Sequence, residues 1–139
     1  MILIDTNVVS EPMKARGDPR VAAWLDAQAA ETLFLSAVSV AELLLGVEVL
    51  PLGKRRAALG ELIAGRVIAL FAERILPFDL ASARAYAAVV ARARKRGVAI
   101  SVADGQIAAT AAARGFAVAT HDGAPFRAAG LTVIDPWTA

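Results

Sequence analysis

The chain opens with Met1-Ile2-Leu3-Ile4-Asp5-Thr6-Asn7. Four apolar residues run straight into an acid, which reads as a short buried strand that ends at Asp5. Four later segments repeat the theme: residues 33–35, 75–78, 116–119 and 131–134 are short and apolar. Helical patterns fill the intervals. Asp18-Pro19 has the form of an N-cap followed by a first-turn proline, and Val21, Trp24, Leu25 and Gln28 follow at helical spacing. Ser36 or Ser39 opens the next helix, through Leu43, Leu44 and Gly46, and Leu52-Gly53 breaks the chain before a long one over residues 54–72. Asp79 caps a helix that Gly97 stops, and Ser101 opens another that ends at Arg114-Gly115. A last short helix is expected at residues 126–129. Pro77 cannot donate to a ladder, so the 75–78 segment belongs at a sheet edge. Strands alternating with helices predict an α/β fold, with a short central parallel sheet of about four to five strands flanked by helices on both faces.

The 139 residues are the size of one domain, read as residues 1–139, and the 58% hydrophobic content, inflated by 33 alanines, excludes intrinsic disorder. The longest stretch free of charge, residues 32–41, is far shorter than the ~20 residues of a spanning helix. The opening segment has no basic region before its first acid, so it is not a signal peptide, and a cytoplasmic location is expected. Zero cysteines exclude disulfides, thiolate metal sites and a cysteine nucleophile, and a lone histidine, His121, excludes a His-pair zinc motif. The net charge of +2 does not by itself point to nucleic acid, but Lys54-Arg55-Arg56 with Arg92, Arg94, Lys95 and Arg96 hold seven of the fifteen basic residues. These clusters are either solvated helix faces or a surface for phosphates.

The acids carry more information. Asp5 follows the first strand, and Asp122 sits just past the 116–119 strand. Ligands of open parallel sheets bind outside the carboxyl ends of the strands, where strand order reverses, so the two can meet in space. Glu42 and Asp104 each fall in an apolar run, read as the first turn of a helix. A carboxylate there is costly unless something neutralises it. Each acid also has a bland explanation. Ser39-Val40-Ala41-Glu42 matches a capping box, Ser101-Val102-Ala103-Asp104 comes close to one, Asp5 can cap the Thr6-Asn7 turn, and Asp122-Gly123 is a common turn pair. Their shared placement at one sheet edge argues for a common role. Clustered carboxylates repel and call for a counter-charge. Hard Mg²⁺ or Mn²⁺ suits an all-oxygen donor set, and such an ion can activate a hydroxide against a phosphodiester.

The ordered segments resemble those of PIN-domain toxins of the VapC/FitB type. The matching residues are Ile2-Leu3-Ile4-Asp5-Thr6-Asn7-Val8-Val9-Ser10-Glu11-Pro12, then Leu35-Ser36-Ala37-Val38-Ser39-Val40-Ala41-Glu42-Leu43 with Gly46, then Arg74-Ile75-Leu76-Pro77-Phe78-Asp79. Val102-Ala103-Asp104-Gly105-Gln106-Ile107-Ala108-Ala109-Thr110-Ala111, Ala119-Thr120-His121-Asp122 and Asp135-Pro136-Trp137 complete the set. The resemblance implies a PIN-like fold and a Mg²⁺- or Mn²⁺-dependent endoribonuclease. It assigns an acidic quartet to Asp5, Glu42, Asp104 and Asp122 as catalytic and metal-binding residues. Asn7 would support the turn beside Asp5, and the Thr120 hydroxyl would position water or phosphate. Many relatives have Thr-Arg-Asn where this chain has Thr120-His121-Asp122. His121 there faces solvent or RNA, or contacts metal or phosphate. The implied partners are an RNA substrate and a DNA-binding antitoxin of the VapB/FitA kind that blocks the acidic pocket. A homodimer, toxin–antitoxin hetero-oligomers and DNA contact through the antitoxin also follow from the resemblance, with no membrane involved.

Other readings compete with this one. A non-catalytic PIN-like module that binds RNA or protein would be favoured by loss of one of the four acids, and all four are present. A haloacid-dehalogenase phosphatase needs a second Asp where Asn7 stands, and a receiver domain needs a late lysine, whereas none follows Lys95.

Overall fold

The computed structural model describes residues 1–139. Five strands, β1 (Ile2–Ile4), β2 (Leu33–Ser36), β3 (Ile75–Leu76), β4 (Ala117–Ala119) and β5 (Val133–Ile134), form one sheet in the order β3-β2-β1-β4-β5. Every pairing is parallel, and Ile4 lies level with Leu35 on one side and Ala119 on the other. The chain winds outward from β1 in one direction, then crosses back and continues in the other. The seam between β1 and β4 is therefore the point where strand order reverses.

Alternation along β1 and β4 gives the sheet two apolar faces. Leu3 and Val118 enter a core with Val89, Val90, Ile107, Ala108 and Phe126. Ile4 and Ala119 enter the opposite core with Val8, Val21, Leu35, Leu43, Ile63 and Phe71. Covering both faces is what an all-parallel sheet requires. The expected α/β architecture, with helices on both faces and the Pro77 segment at an edge, is the one observed.

The first core is covered by α6 (Leu80–Lys95), α7 (Val102–Arg114) and α8 (Ala124–Ala128), and the second by α1 (Thr6–Ser10), α2 (Pro19–Ala27), α3 (Ala37–Glu48), α4 (Lys54–Leu62) and α5 (Ala69–Phe71). Most starts are sequence-encoded. Asp18 accepts from the Arg20 amide with Pro19 in the first turn, Asp79 from the Ser82 amide, and Ser101 from the Asp104 amide. Gly115, at φ +70°, ends α7 in the left-handed conformation that a side chain disfavours.

Four features differ from the sequence reading. First, α3 starts earlier than the Ser39-to-Glu42 capping box predicts. Ser36 takes the cap by accepting from the Val38 amide, so Glu42 lies in the second turn and Ser39 is buried within the helix, its hydroxyl unpaired. Second, α1 is a helix of five residues, too short to show a period. Third, the helix begun by α4 widens into π-helical turns over Ile63–Ile68. Ile63, Val67 and Phe71 all face the core at a spacing of four. At about 3.6 residues per turn such a set drifts around the axis, and wider turns hold it on one face. Fourth, three clustered arginines are engaged within the protein. Arg56 pairs with Glu48 at 2.9 Å, Arg92 donates to the Ala129 carbonyl at 3.3 Å, and Arg96 donates to the Arg127 and Ala128 carbonyls at 3.2 and 3.1 Å. Arg92 and Arg96 thus satisfy carbonyls at the end of α8. Lys54, Arg55, Arg94 and Lys95 stay exposed.

Helices α6 and α7 lie antiparallel, with Gly105 against Tyr86 and Val90, and Arg114 reaching Asp79 at 3.2 Å. A Cβ at Gly105 would stand 2.9 Å from Tyr86 Cε2 and 3.1 Å from Val90 Cγ2. The glycine weakens the helix by about 1 kcal/mol relative to alanine, and close packing is its return. Gly105→Val is expected to lower stability by about 1–3 kcal/mol, read as a shifted urea midpoint with unchanged slope.

Candidate active site

The seam between β1 and β4 places two chain segments side by side. The Asp5 amide donates to the Ala119 carbonyl at 2.9 Å, and Thr120 continues β4 with its amide on Ile134 at 2.9 Å. Asp5 is 5% exposed. Its Oδ1 accepts from the Thr6 amide at 2.8 Å, which caps α1, and its Oδ2 accepts from Thr120 Oγ1 at 2.8 Å. A threonine hydroxyl has one hydrogen and two lone pairs. Thr120 uses all three, because it also accepts from Asn7 Nδ2 at 3.4 Å and from the Asp122 amide at 3.2 Å. The residue is fully buried. Its hydroxyl is thus turned inward and holds Asp5, Asn7 and the Asp122 loop together, rather than facing a water or phosphate. Asn7 completes the tie by accepting from the His121 amide at 3.4 Å through Oδ1.

The other acids approach from separate elements. Glu42, exposed on α3, accepts from Thr6 Oγ1 at 2.7 Å. Asp104, partly buried at the third position of α7, has its amide on Ser101 Oγ at 3.1 Å. Asp122 is exposed in the loop after β4. Thr6 is the residue that sequence reasoning overlooked: it braces Asp5 through its amide and Glu42 through its hydroxyl. Its only sequence signal is its place directly after the strand-ending acid.

The acids sense one another. Burial, above all, pushes the Asp5 carboxyl up to about 6, against the hydrogen bonds from Thr120 and Thr6, and the charges of Asp104 and Glu42 push it further in the same direction. Asp104 is also raised, first by burial and then by Glu42 and Asp122, against its hydrogen bond with Ser101. Each acid of the quartet therefore enters the electrostatics of another. They do not form a closed cage, because no three of them stand in ligating geometry around one point. The donor set is nevertheless all oxygen, and His121, the one imidazole nearby, has its Nδ1 3.4 Å from Asp135 Oδ1. An all-oxygen set in which Asp5 and Asp104 are held above the ordinary carboxylate range, first by burial and then by neighbouring acids, fits a hard divalent cation. Glu42 and Asp122, both exposed, have the freedom to close on one.

Comparison with known proteins agrees with this architecture. The model of the PIN domain matches residues 2–131. The VapC ribonuclease Y4jK of Sinorhizobium fredii is 53% identical over 137 residues, covering 99% of this chain and 98% of that protein. Toxin FitB of Neisseria gonorrhoeae is 47% identical over 137 residues, covering 99% of both. The crystal structure of FitAcB from Neisseria gonorrhoeae superposes with a TM-score of 0.95 at 47% identity, covering 100% of both chains. A structure of FitAB bound to the IR36 DNA fragment gives 0.94 at the same 47% identity, covering 99% of this chain and 96% of that one. The chain belongs to the PIN-domain family. Within that family it groups with the VapC/FitB-type members.

The raised Asp5 has a measurable consequence. An acid held above its ordinary value binds its proton more tightly in the folded chain, so its stability contribution is complete below about pH 4 and is lost as pH rises to about 6. In chelator, wild type is expected to lose about 2–3 kcal/mol more than Asp5→Asn between those limits, measured by urea unfolding at a series of pH values.

Proposed function

We propose that the protein is a Mg²⁺- or Mn²⁺-dependent endoribonuclease that acts as the toxin of a toxin–antitoxin pair. The observation that carries this reading is the buried Asp5 at the strand-order seam, its affinity for a proton raised first by burial and then by the charges of Asp104 and Glu42. Asp5, Glu42, Asp104 and Asp122 are the residues that would hold the ion. Bound there, a divalent ion supplies positive charge to a phosphoryl oxygen and lowers the pKa of a water.

The protein's own groups do the rest. Thr120 and the Thr6 amide fix both oxygens of Asp5. Asp5 must give up its proton before it can serve as a ligand. Thr6 Oγ1 aims Glu42, and the Ser101 cap fixes the backbone that carries Asp104. Asp122, hung from Thr120 by its amide, is placed to complete the set or to orient the attacking water.

The names of the relatives, a VapC ribonuclease and a toxin, support both the RNA substrate and the toxin role. The FitAB complex with DNA supports a cognate antitoxin through which DNA is contacted. A homodimer and toxin–antitoxin hetero-oligomers belong to the same reading. No helix is long and apolar enough to cross a membrane, which is compatible with action in the cytoplasm. A groove of about 700 Å³ beside Glu42, lined by Met13, Leu43, Leu59 and Ile63 with Lys14 and Arg55, offers an apolar surface for the antitoxin.

Asp104→Asn is expected to abolish divalent-dependent RNA cleavage while the circular-dichroism spectrum stays unchanged. The loss should exceed the roughly 10–100-fold cost of disturbing groups behind a metal's ligands. Mg²⁺ or Mn²⁺ should raise the melting temperature of wild type and not of Asp104→Asn. Cleavage at the wild-type rate by the variant would instead favour a non-catalytic binding module. Growth arrest on expression, relieved by Asp5→Ala, tests the toxin role.

A further inference from the structure

One aromatic pair beside the acidic pocket is not used by the quartet. The His121 and Trp137 rings stack with centroids 4.2 Å apart and planes 31° from parallel. Trp137 also packs against the core that contains Ile4 and Ala119. Asp135 ties the pair together, accepting from the Trp137 amide at 2.9 Å and facing His121 Nδ1 at 3.4 Å. A carboxylate only accepts, so Nδ1 carries the hydrogen in that contact and the ring orientation is set. The Asn7 contact to the His121 amide fixes the backbone from the other side. The His121 side chain is nonetheless 57% exposed. A flat ring is thus held rigidly, backed by a tryptophan and open to solvent, between Thr120 and Asp122 in the chain.

The surrounding charge says what would lie on it. The acids around the ring are Asp135, in contact with it, and the nearby Asp18, paired with Arg20 at 2.7 Å, while the exposed Arg127 guanidinium stands further along the loop against Gly123. A neutral, flat group is the suitable occupant, and a nucleobase has that shape and polarity. Asp135 and Trp137 lie beyond the residues matched by the PIN-domain model, which end at 131.

We propose that His121, stacked on Trp137 and tied to Asp135, is a platform for a base of the RNA strand next to the scissile phosphate, with purines favoured for their larger ring. The inference rests on the ribonuclease reading. It makes His121 a positioning and specificity residue rather than a metal contact. Stacking on an aromatic surface is sequence-tolerant, with a preference set by ring size.

The test uses the full chain in chelator at low salt, with single-stranded RNA that carries 2-aminopurine, so that binding is read without metal or cleavage. Wild type should quench the 2-aminopurine fluorescence on binding. His121→Ala should weaken binding roughly 5- to 100-fold and abolish the quench. His121→Phe, which keeps the ring and loses the Asp135 contact, should restore both to within about threefold of wild type. With Mg²⁺ or Mn²⁺ present, His121→Ala should also lose the purine preference at cleavage sites. Equal binding and equal quench by wild type and His121→Ala would overturn the platform and leave the ribonuclease reading standing. A wild-type chain that neither binds nor cleaves RNA would overturn both.

Discussion

The rest of the structure is arranged around a carboxylate withdrawn from water at the seam of a parallel sheet. Asp5 is buried because β1 is central, with a neighbour on each side and helices over both faces. Removing a carboxylate from water costs several kcal/mol, roughly, unless partners compensate. The two hydrogen bonds from Thr6 and Thr120 compensate in part, and burial still outweighs them. The protein carries that cost at the place where strand order reverses, which is where open sheets of this kind bind ligands. Thr120 is the counterpart of the strain. With its single hydrogen on Asp5 and both lone pairs occupied, it ties two chain segments, residues 5–7 and 120–122, through one oriented group.

Much of the fold is legible in the sequence because its signals are local. Asp18-Pro19, Asp79 and Ser101 cap helices where the pattern says they should, and Pro77 marks the sheet edge. What the sequence does not display are choices between competing local signals. Ser36 and Ser39 are both competent caps, and the end of β2 hands the role to Ser36, which moves Glu42 out of the first turn. The π-helical stretch arises from a burial requirement on Ile63, Val67 and Phe71 that no single window of residues expresses. The acidic positions are legible as acids in unfavourable surroundings. Their mutual influence is not, because it depends on four elements meeting. The inward turn of the Thr120 hydroxyl is equally invisible from residue type, since a threonine beside an acidic pocket can face either way.

The C-terminal segment extends this organisation past the last strand. Asp135 and Trp137 follow β5, and each contacts His121 in the loop after β4. The end of the chain therefore braces the same loop from outside that Thr120 and Asn7 brace from inside. Rigid support from two sides suits a loop that carries both a candidate ligand, Asp122, and an exposed ring. Sites held by locked neighbours keep their geometry better than sites on free loops.

The arginines that close α8 keep their charge but lose the freedom to reach toward a phosphate. Arg92 and Arg96 hold backbone carbonyls, and Arg56 holds Glu48, so a charge count made from the sequence overstates the cation density free to meet a polyanion. Lys54, Arg55, Arg94 and Lys95 remain exposed and unengaged, so any counterion release from phosphates meeting these two clusters is carried chiefly by those four.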